Sequence, residues 1–120
     1  MTVGADQVAE ALDEGRATIV DVRTREEYDG LAGYPCDPRQ GHIPGAVHVE
    51  WEELYAGPGR PHDAETIREL LAERGVDPEQ PLIVYCHSGQ RSSLAATALR
   101  AAGLDARNYD GSWHEWARRP

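Results

Sequence analysis

The sequence predicts an α/β fold, with a small central parallel sheet and helices on both faces. Two apolar runs rich in β-branched residues, Ala17–Val22 and Pro81–Tyr85, are typical of strands that are buried on both sides. Segments with the apolar spacing of a helix alternate with strand-like segments along the chain. This alternation is typical of β-α units, which build a parallel sheet because each crossover returns the chain in the same direction.

The first half of the chain begins with a predicted helix over Asp6–Glu14, which Gly15 ends. The buried strand Ala17–Val22 follows, and Thr24–Asp29 has the composition of one or two helical turns. The next segment, Gly30–Gly45, is rich in glycine and proline and is predicted to be a loop.

The second half continues the alternation of strands and helices. In order, the predicted elements are a strand over Ala46–Val49, a helix over Asp63–Arg74, the strand Pro81–Tyr85, a helix over Ser92–Ala102, a strand over Ala106–Tyr109 and a last helical turn over Ser112–Arg118. For that turn, the spacing of Ser112 and Glu115 predicts a capping box with Ser112 as the N-cap. Ligands of such sheets bind outside the carboxyl ends of the strands, so the residues that follow each strand are the candidates for a site.

Composition narrows the range of functions. The 120 residues fit a single domain over residues 1–120, with 40% hydrophobic and 28% charged residues. A net charge of −9 makes general binding to nucleic acid or to anionic membranes unfavourable. All 12 basic residues are arginines, so lysine Schiff-base chemistry and a phosphate-loop nucleotide site are excluded. Because the sequence shows no signal peptide and no apolar run of membrane length, we expect a cytoplasmic protein.

The two cysteines, Cys36 and Cys86, do not amount to a disulfide framework, and we expect both to be reduced. The five histidines lack the spacing of metal ligands, so no metal site is predicted. Cys36 lies in the predicted loop, where it is either an ordinary loop residue or a resolving thiol for an oxidised Cys86.

Cys86 comes directly after the second buried strand, where an α/β sheet would bind its ligand. The segment that begins with this cysteine and leads into the next helix reads Cys86-His87-Ser88-Gly89-Gln90-Arg91-Ser92-Ser93. Gly89 lets the backbone curl so that its N–H groups converge on the sulfur, and the positive end of the helix dipole points the same way. Together with the charge of Arg91, these features favour a thiolate, which is the nucleophilic form of cysteine. The alternative is a buried structural cysteine at the end of a strand.

Four landmarks occur in the sequence in a characteristic order. They are Asp21-Val22-Arg23 with Glu26-Glu27-Tyr28, then Gly41-His42-Ile43-Pro44-Gly45-Ala46, then the loop from Cys86 to Ser92, and last Asn108-Tyr109-Asp110-Gly111-Ser112-Trp113 with Glu115-Trp116. Together they resemble the rhodanese family of sulfurtransferases. The last landmark is most similar to the catalytic domain of bacterial tandem-domain thiosulfate or 3-mercaptopyruvate sulfurtransferases. The resemblance runs from about Asp6 to Trp116 and implies the rhodanese-like α/β fold.

The resemblance implies that Cys86 is the catalytic nucleophile of a sulfurtransferase. Cys86 would take the outer sulfur of a small anionic donor such as thiosulfate, carry it as a persulfide, and pass it to cyanide, a cellular thiol or a protein acceptor. The residues implied to bind the donor and the persulfide are His87, Ser88, Gly89, Gln90, Arg91 and Ser92. The family needs no cofactor or metal, so none is expected here.

Two features, at three positions, depart from the family pattern. The classical thiosulfate enzymes carry two cations directly after the cysteine, where this chain has His87 and Ser88. The tandem enzymes of animals carry an arginine before the tyrosine of the first turn, where this chain has Glu27. Since thiosulfate is a dianion, these changes should weaken its binding, while Arg91 and the partly protonatable His87 remain as local positive groups.

Three charged residues near the first buried strand are expected to brace the loop from Cys86 to Ser92, which we call the reactive loop. Asp21 ends that strand, and Arg23 and Glu27 follow it. Because buried charges need partners, we expect Asp21 or Glu27 to pair with Arg91. Such pairing would reduce the help that Arg91 gives to a substrate anion.

Two other functions fit parts of the sequence. A thiolate phosphatase or arsenate reductase also places a cysteine and an arginine in an anion-binding loop, but that loop holds one residue more between them. Four residues separate Cys86 from Arg91, and this shorter loop suits one sulfur atom better than a tetrahedral phosphate. A non-enzymatic module would instead bind a partner or relay sulfur through Cys86 to another protein. The sequence does not separate such a relay from free-standing turnover.

Overall fold

A computed structural model of the chain describes residues 2–119 and contains a five-stranded parallel sheet with helices on both faces. The strands of the described residues are β1 (Thr2–Val3), β2 (Thr18–Asp21), β3 (Val47–His48), β4 (Tyr55–Gly57), β5 (Arg60–Pro61), β6 (Leu82–Tyr85) and β7 (Ala106–Tyr109). The helices are α1 (Ala5–Glu14), α2 (Arg25–Tyr28), α3 (Ala64–Glu73), α4 (Gln90–Ala101) and α5 (Ser112–Trp116), with a 3₁₀ helix over Trp51–Leu54. The predicted fold class is confirmed.

The order of the strands places β6 in the middle of the sheet. The order is β1-β7-β6-β2-β3, and every neighbouring pair is parallel. All four residues of β6 are buried, which explains the continuous apolar run in the sequence. The carboxyl ends of β2, β6 and β7 meet at one edge, so the segments that follow these strands lie together.

The side chains of β6 alternate between two hydrophobic cores, one on each face of the sheet. Leu82 and Val84 share one core with Cys86, the helices α3 and α4, and the 3₁₀ helix. Ile83 and Tyr85 belong to the other core, against which α1 and α5 pack. Because side chains of a strand alternate between faces, Cys86 falls on the same face as α4.

The structure corrects the sequence prediction at the starts of two helices. Helix α4 begins at Gln90, two residues before the predicted start, because Gly89 with a φ of +97° forms the turn into it. Ser112 is not the N-cap of α5 but its first residue, with a φ of +52° and a hydroxyl that donates to the Tyr109 carbonyl. The predicted capping box is therefore wrong, and Glu115 accepts a hydrogen bond from the Tyr109 hydroxyl instead (2.7 Å).

The remaining elements of the fold are short. Strand β1 has two residues and pairs with β7, and the hairpin β4–β5 turns at Gly59, whose φ is +68°. The sequence did not predict these strands, because two or three residues are too few to show an alternating pattern.

The longest described helix, α4, has 12 residues, and none of the helices within residues 2–119 has the length and apolar character of a membrane span.

A buried ion pair lies at the carboxyl edge of the sheet. Asp21 accepts from Arg23 Nε (3.0 Å) and Nη2 (2.7 Å), and the two residues are 0% and 1% exposed. The Tyr85 hydroxyl donates to Asp21 (2.7 Å) and accepts from the Ile43 N–H (3.0 Å). Arg23 also donates to the carbonyl of Gly41 (2.5 Å). The pair thus fastens the turn before β3 to the ends of β2 and β6, and its charges are matched by each other and by neighbouring dipoles.

Replacing Asp21 by Asn should lower the free energy of unfolding by about 3 kcal/mol, because Arg23 would stay buried and charged without its partner. Asp105 and Arg107 form the same pair across one intervening residue, but at side chains that are 43% and 42% exposed. The matched change Asp105→Asn should alter stability by less than about 1 kcal/mol. Urea denaturation of the two variants and the unaltered protein measures both effects. An equal loss of free energy of unfolding in the two variants would show that burial does not increase the contribution of the Asp21–Arg23 pair to stability.

Candidate active site

The start of α5 supports the Cys86 backbone from behind. Cys86 follows β6 directly and is 1% exposed. Its N–H donates to the Ser112 hydroxyl (3.1 Å), and its carbonyl accepts from the Trp113 N–H (2.9 Å). The carbonyl of His87 accepts from the His114 N–H in the same way (2.9 Å). The N–H groups of the first turn of α5, which have no partner inside their own helix, therefore hold the reactive loop.

Several hydrogen-bond donors converge on the sulfur of Cys86. The Gly89 N–H lies 3.1 Å from Sγ, and the Ser92 hydroxyl lies 3.4 Å from it. Burial raises the pKa of the Cys86 thiol, but hydrogen bonds from the Ser92 hydroxyl and from the N–H groups of Ser92, Gly89 and Ser88 together hold the pKa below its ordinary value. The positive end of α4 acts in the same direction, since Gly89 is the N-cap of that helix. The site therefore stabilises the thiolate more than the surroundings of an ordinary cysteine do.

The loop requires a glycine at position 89. The φ of +97° is one that residues with a side chain rarely adopt, and a Cβ there would lie 2.9 Å from the carbonyl oxygen of Asp110. Asn108 in β7 fixes the same segment, because its amide donates to the Gly89 carbonyl (3.1 Å) and to the Asp110 carboxylate (2.9 Å). The close approach of the loop to the chain after β7 thus depends on Gly89.

Arg91 in the first turn of α4 pairs with Glu27 of α2 through both guanidinium ends. Nη1 lies 2.8 Å from Oε1 and Nη2 lies 3.1 Å from Oε2, and the Thr24 hydroxyl also donates to Oε1 (3.1 Å). Burial raises the pKa of Glu27, but the hydrogen bond and the charge of Arg91 outweigh burial, so the pKa lies below its ordinary value. The hydrogen bond that Arg91 donates to Glu27 is the main reason why the pKa of Arg91 is raised, and the charge of the nearby Cys86 contributes.

Of the two carboxylates expected to pair with Arg91, the structure brings only Glu27 to it. Asp21 forms its ion pair with Arg23 instead. The bracing of the reactive loop by Asp21 and Arg23 remains a prediction. It would act through Tyr85, which precedes Cys86 and donates a hydrogen bond to Asp21.

The side chain of His87 belongs to a buried cluster. Its Nε2 lies 2.8 Å from Asp37 Oδ2, and its ring stacks on Tyr34 with centroids 3.7 Å apart. Asp37 is fully buried in its side chain and also accepts from Arg118 Nη1 (2.7 Å). Burial raises the pKa of Asp37, but the hydrogen bonds from Arg118 and His87 hold it below its ordinary value. Asp37 is thus the shared carboxylate partner of His87 and Arg118.

The same cluster could supply metal ligands. Asp37, His87 and His114 each place one ligand atom within 4.8 Å of the others, although they are far apart in the chain. Both carboxylate oxygens of Asp37 already accept hydrogen bonds, and the positive charge of Arg118 opposes a cation there. In this structure the cluster connects the loop between α2 and β3 (residues 29–46, the long loop) to the reactive loop and to α5.

A shallow cavity of about 330 Å³ opens beside Arg91 and Glu27. Its other lining residues are uncharged: Thr24, Ala32, Gly33, Tyr34 and Pro35. Ser88 and Gln90 of the reactive loop are exposed. The predicted role of these loop residues in donor binding remains a prediction.

Both cysteines are free thiols, Cys36 exposed and Cys86 buried. The carbonyl of Cys36 accepts from Arg118 (3.2 Å), which places Cys36 next to the cluster around Asp37. The exposed position of Cys36 is compatible with both interpretations, an ordinary loop residue and a resolving thiol.

Sequence reasoning missed the site roles of four residues: Tyr34, Asp37, Asn108 and Ser112. Asn108 and Ser112 lie in the last landmark, so their position in the chain was a usable signal. Tyr34 and Asp37 lie in a loop with no periodic pattern, and the sequence offered no signal for them.

Comparison with known families and curated proteins gives consistent results. The family model of the rhodanese-like domain matches residues 4–119. A protein of Haloferax volcanii, provisionally named a thiosulfate sulfurtransferase, is 39% identical over 118 residues, which cover 92% of this chain and 41% of the relative. The sulfur carrier protein TtuD of Thermus thermophilus is 36% identical over 111 residues, covering 86% of this chain and 39% of TtuD. The chain thus spans about two fifths of the length of these relatives.

Solved structures share the fold. The anaerobic ergothioneine biosynthesis enzyme of Chlorobium limicola, bound to trimethyl histidine, matches with a TM-score of 0.87 and 30% identity, over 99% of this chain and 30% of that enzyme. A variant of the enzyme EanB that holds a cysteine persulfide and ergothioneine also matches with a TM-score of 0.87, at 29% identity and the same coverage.

Replacing Ser92 by Ala should raise the pKa of the Cys86 thiol, because the thiolate loses a hydroxyl donor. The thiolate absorbance in the ultraviolet, followed against pH in a Cys36→Ser background, measures this midpoint. Ser93 is the exposed neighbour on the same helix, so Ser93→Ala should leave the midpoint unchanged. An unmoved midpoint in Ser92→Ala, or equal shifts in the two variants, would contradict the role of the hydroxyl.

Proposed function

The chain belongs to the rhodanese-like domain family, and we propose that it is a sulfurtransferase that carries sulfur as a persulfide on Cys86. The observation that supports this most directly is the convergence of hydrogen-bond donors on Sγ, with Gly89 at 3.1 Å and Ser92 at 3.4 Å. These donors stabilise a sulfur anion before the reaction. They remain in place when the negative charge moves to the outer sulfur of a persulfide.

The first half-reaction loads the sulfur. The Cys86 thiolate attacks the outer sulfur of a donor such as thiosulfate, and a new S–S bond forms at Sγ. The S–S bond of thiosulfate breaks at the same time, and its electron pair leaves with sulfite. The negative charge of the thiolate ends on the persulfide, so this step needs no proton and no external oxidant.

The second half-reaction unloads the sulfur. A nucleophile such as cyanide or a thiolate attacks the outer sulfur of the persulfide and breaks its bond to Sγ. The electron pair of that bond returns to Cys86, which again becomes a thiolate and is ready for another donor. Because the two substrates react in separate steps, the kinetics should follow a ping-pong scheme.

We assign donor binding to the exposed face of the loop. Ser88 and Gln90 are exposed there, and Arg91 lines the neighbouring cavity. Gly89 and Ser92 act on the sulfur itself. His87 contributes its backbone, since its ring is engaged by Asp37.

The relatives support this class of reaction. The protein of Haloferax volcanii is provisionally named for thiosulfate sulfurtransfer, and the EanB variant holds a persulfide on a cysteine. The chain spans about two fifths of the length of its curated relatives. The sulfur donor and acceptor named above are therefore proposed for this chain and are not taken over from the relatives. Two free thiols within the described chain are compatible with a reducing compartment, and we propose the cytoplasm.

A sulfur relay to a protein acceptor is the second candidate. It is favoured by the 36% identity to TtuD, which is named a sulfur carrier protein. In a relay the loading step is the same, but the acceptor is a thiolate of another protein. The exposed position of Ser88 and Gln90 beside Cys86 leaves this side of the loop open to such a partner.

Incubation with thiosulfate, and separately with 3-mercaptopyruvate, should add one sulfur atom to the protein, as measured by intact mass. Cyanide should remove the added sulfur, since it accepts sulfur from a persulfide. Cys86→Ser should abolish the gain without unfolding the domain, and the matched change Cys36→Ser should retain it. A gain that persists in Cys86→Ser would contradict the assignment of the carrier.

A further inference from the structure

We propose that Glu27 determines which sulfur donors this site accepts. By pairing with Arg91, it removes the free positive charge that a dianionic donor would need, so the site favours donors with a single negative charge. This inference rests on the proposed sulfurtransferase function and specifies its substrate class.

The geometry of the Glu27–Arg91 pair shows how Glu27 compensates the positive charge of Arg91. Both carboxylate oxygens accept from the guanidinium group, at 2.8 and 3.1 Å, and this bidentate arrangement uses the two donors that face the carboxylate. The side chains are only 11% and 28% exposed, so water screens the pair weakly. Arg91 is also close enough to Cys86 for the thiolate to raise the pKa of Arg91. The cation of the first turn of α4, which the Cys86 thiolate influences, is therefore already compensated.

Two other basic side chains around the loop also have carboxylate partners. Arg23 is paired with Asp21 at 2.7 Å, and both are buried. The ring of His87 is 2.8 Å from Asp37, a buried carboxylate that also accepts from Arg118. A donor that enters this edge of the sheet therefore meets paired charges, and the chain as a whole carries a net charge of −9.

What remains to attract an anion is a set of backbone and hydroxyl dipoles. The N–H groups near Cys86 and the positive end of α4 act over short distances and equal a fraction of one charge. They already stabilise the thiolate. A second full negative charge on the donor would find little further stabilisation and would be repelled by the thiolate itself.

Common small sulfur donors differ in the number of negative charges that they carry. Thiosulfate is a dianion and leaves as sulfite, also a dianion, after its outer sulfur has bonded to Cys86. 3-Mercaptopyruvate carries one carboxylate and a neutral thiol. When its C–S bond breaks, the sulfur joins Cys86, the electron pair stays on carbon, and the thiol proton ends on that carbon to give pyruvate. Atoms and charge balance in both reactions.

The cavity beside the ion pair suits the organic donor. Apart from Glu27 and Arg91, its lining is uncharged, and Tyr34 and Pro35 contribute apolar surface. Such a wall accepts the carbon skeleton of a small organic donor more readily than the three charged oxygens of thiosulfate.

The test compares Glu27→Gln with Glu26→Gln, which makes the same change of charge at the exposed neighbouring residue. The rate constants for persulfide formation with thiosulfate and with 3-mercaptopyruvate are measured by intact mass at fixed ionic strength. In Glu27→Gln, the ratio of the thiosulfate rate to the 3-mercaptopyruvate rate should rise roughly tenfold, mainly through a lower KM for thiosulfate, because Arg91 becomes available to the dianion. In Glu26→Gln, the ratio should stay as it is in the unaltered protein.

An unchanged or lower ratio in Glu27→Gln would overturn the inference, and so would an equal rise in both variants, since that would reflect net charge alone. The unaltered protein gives a test that does not depend on the folding of a variant. Its thiosulfate rate should increase with added potassium chloride, because salt screens repulsion, and a decrease would show attraction and overturn the inference. If folded, unaltered protein loads sulfur from neither donor, the proposed function itself fails, and the inference about Glu27 fails with it.

Discussion

The sulfur of Cys86 has almost no contact with water, so a negative charge on it is stable only if the fold replaces water with other hydrogen-bond donors. This constraint explains the backbone around it. The turn at Gly89 directs an N–H at Sγ, and the start of α4 adds the hydroxyl of Ser92. Behind the loop, Ser112 holds a left-handed φ of +52°, a strain of about 1 kcal/mol that its hydrogen bonds to Cys86 and Tyr109 offset.

The same burial governs the charged side chains at this edge of the sheet. Basic groups near the reactive loop are held by buried or half-buried carboxylates, because an unpaired charge in such a position is strongly unfavourable. Two of the pairs also connect segments that are distant in the chain, namely α2 to α4 and the long loop to the reactive loop. Arg23 connects the end of β2 to the turn before β3 through its hydrogen bond to the Gly41 carbonyl. The same ion pairs therefore make this edge of the sheet rigid and compensate its basic side chains.

Periodic patterns in the chain made most of the fold predictable. The run that forms β6 is apolar at every position because both faces of this central strand are covered, and the residue after it could be recognised as the candidate nucleophile. The prediction for Ser112 failed because a capping pattern is local, whereas the partner of its hydroxyl, the Cys86 N–H, lies 26 residues away. Asp37 was missed for a similar reason, since its loop has no pattern and its partner is 50 residues distant.

By itself, the sequence determined the order of the longer strands and helices, the place of Cys86 after a buried strand, and the glycine, serine and arginine that follow it. These features are encoded by residue types and spacings within a few turns of chain. Only the tertiary structure decided which acid neutralises which base, because Glu27 and Arg91 are 64 residues apart and meet only when α2 and α4 pack at the same edge of the sheet. The charge that a substrate meets depends on that meeting of distant segments, which no local spacing encodes.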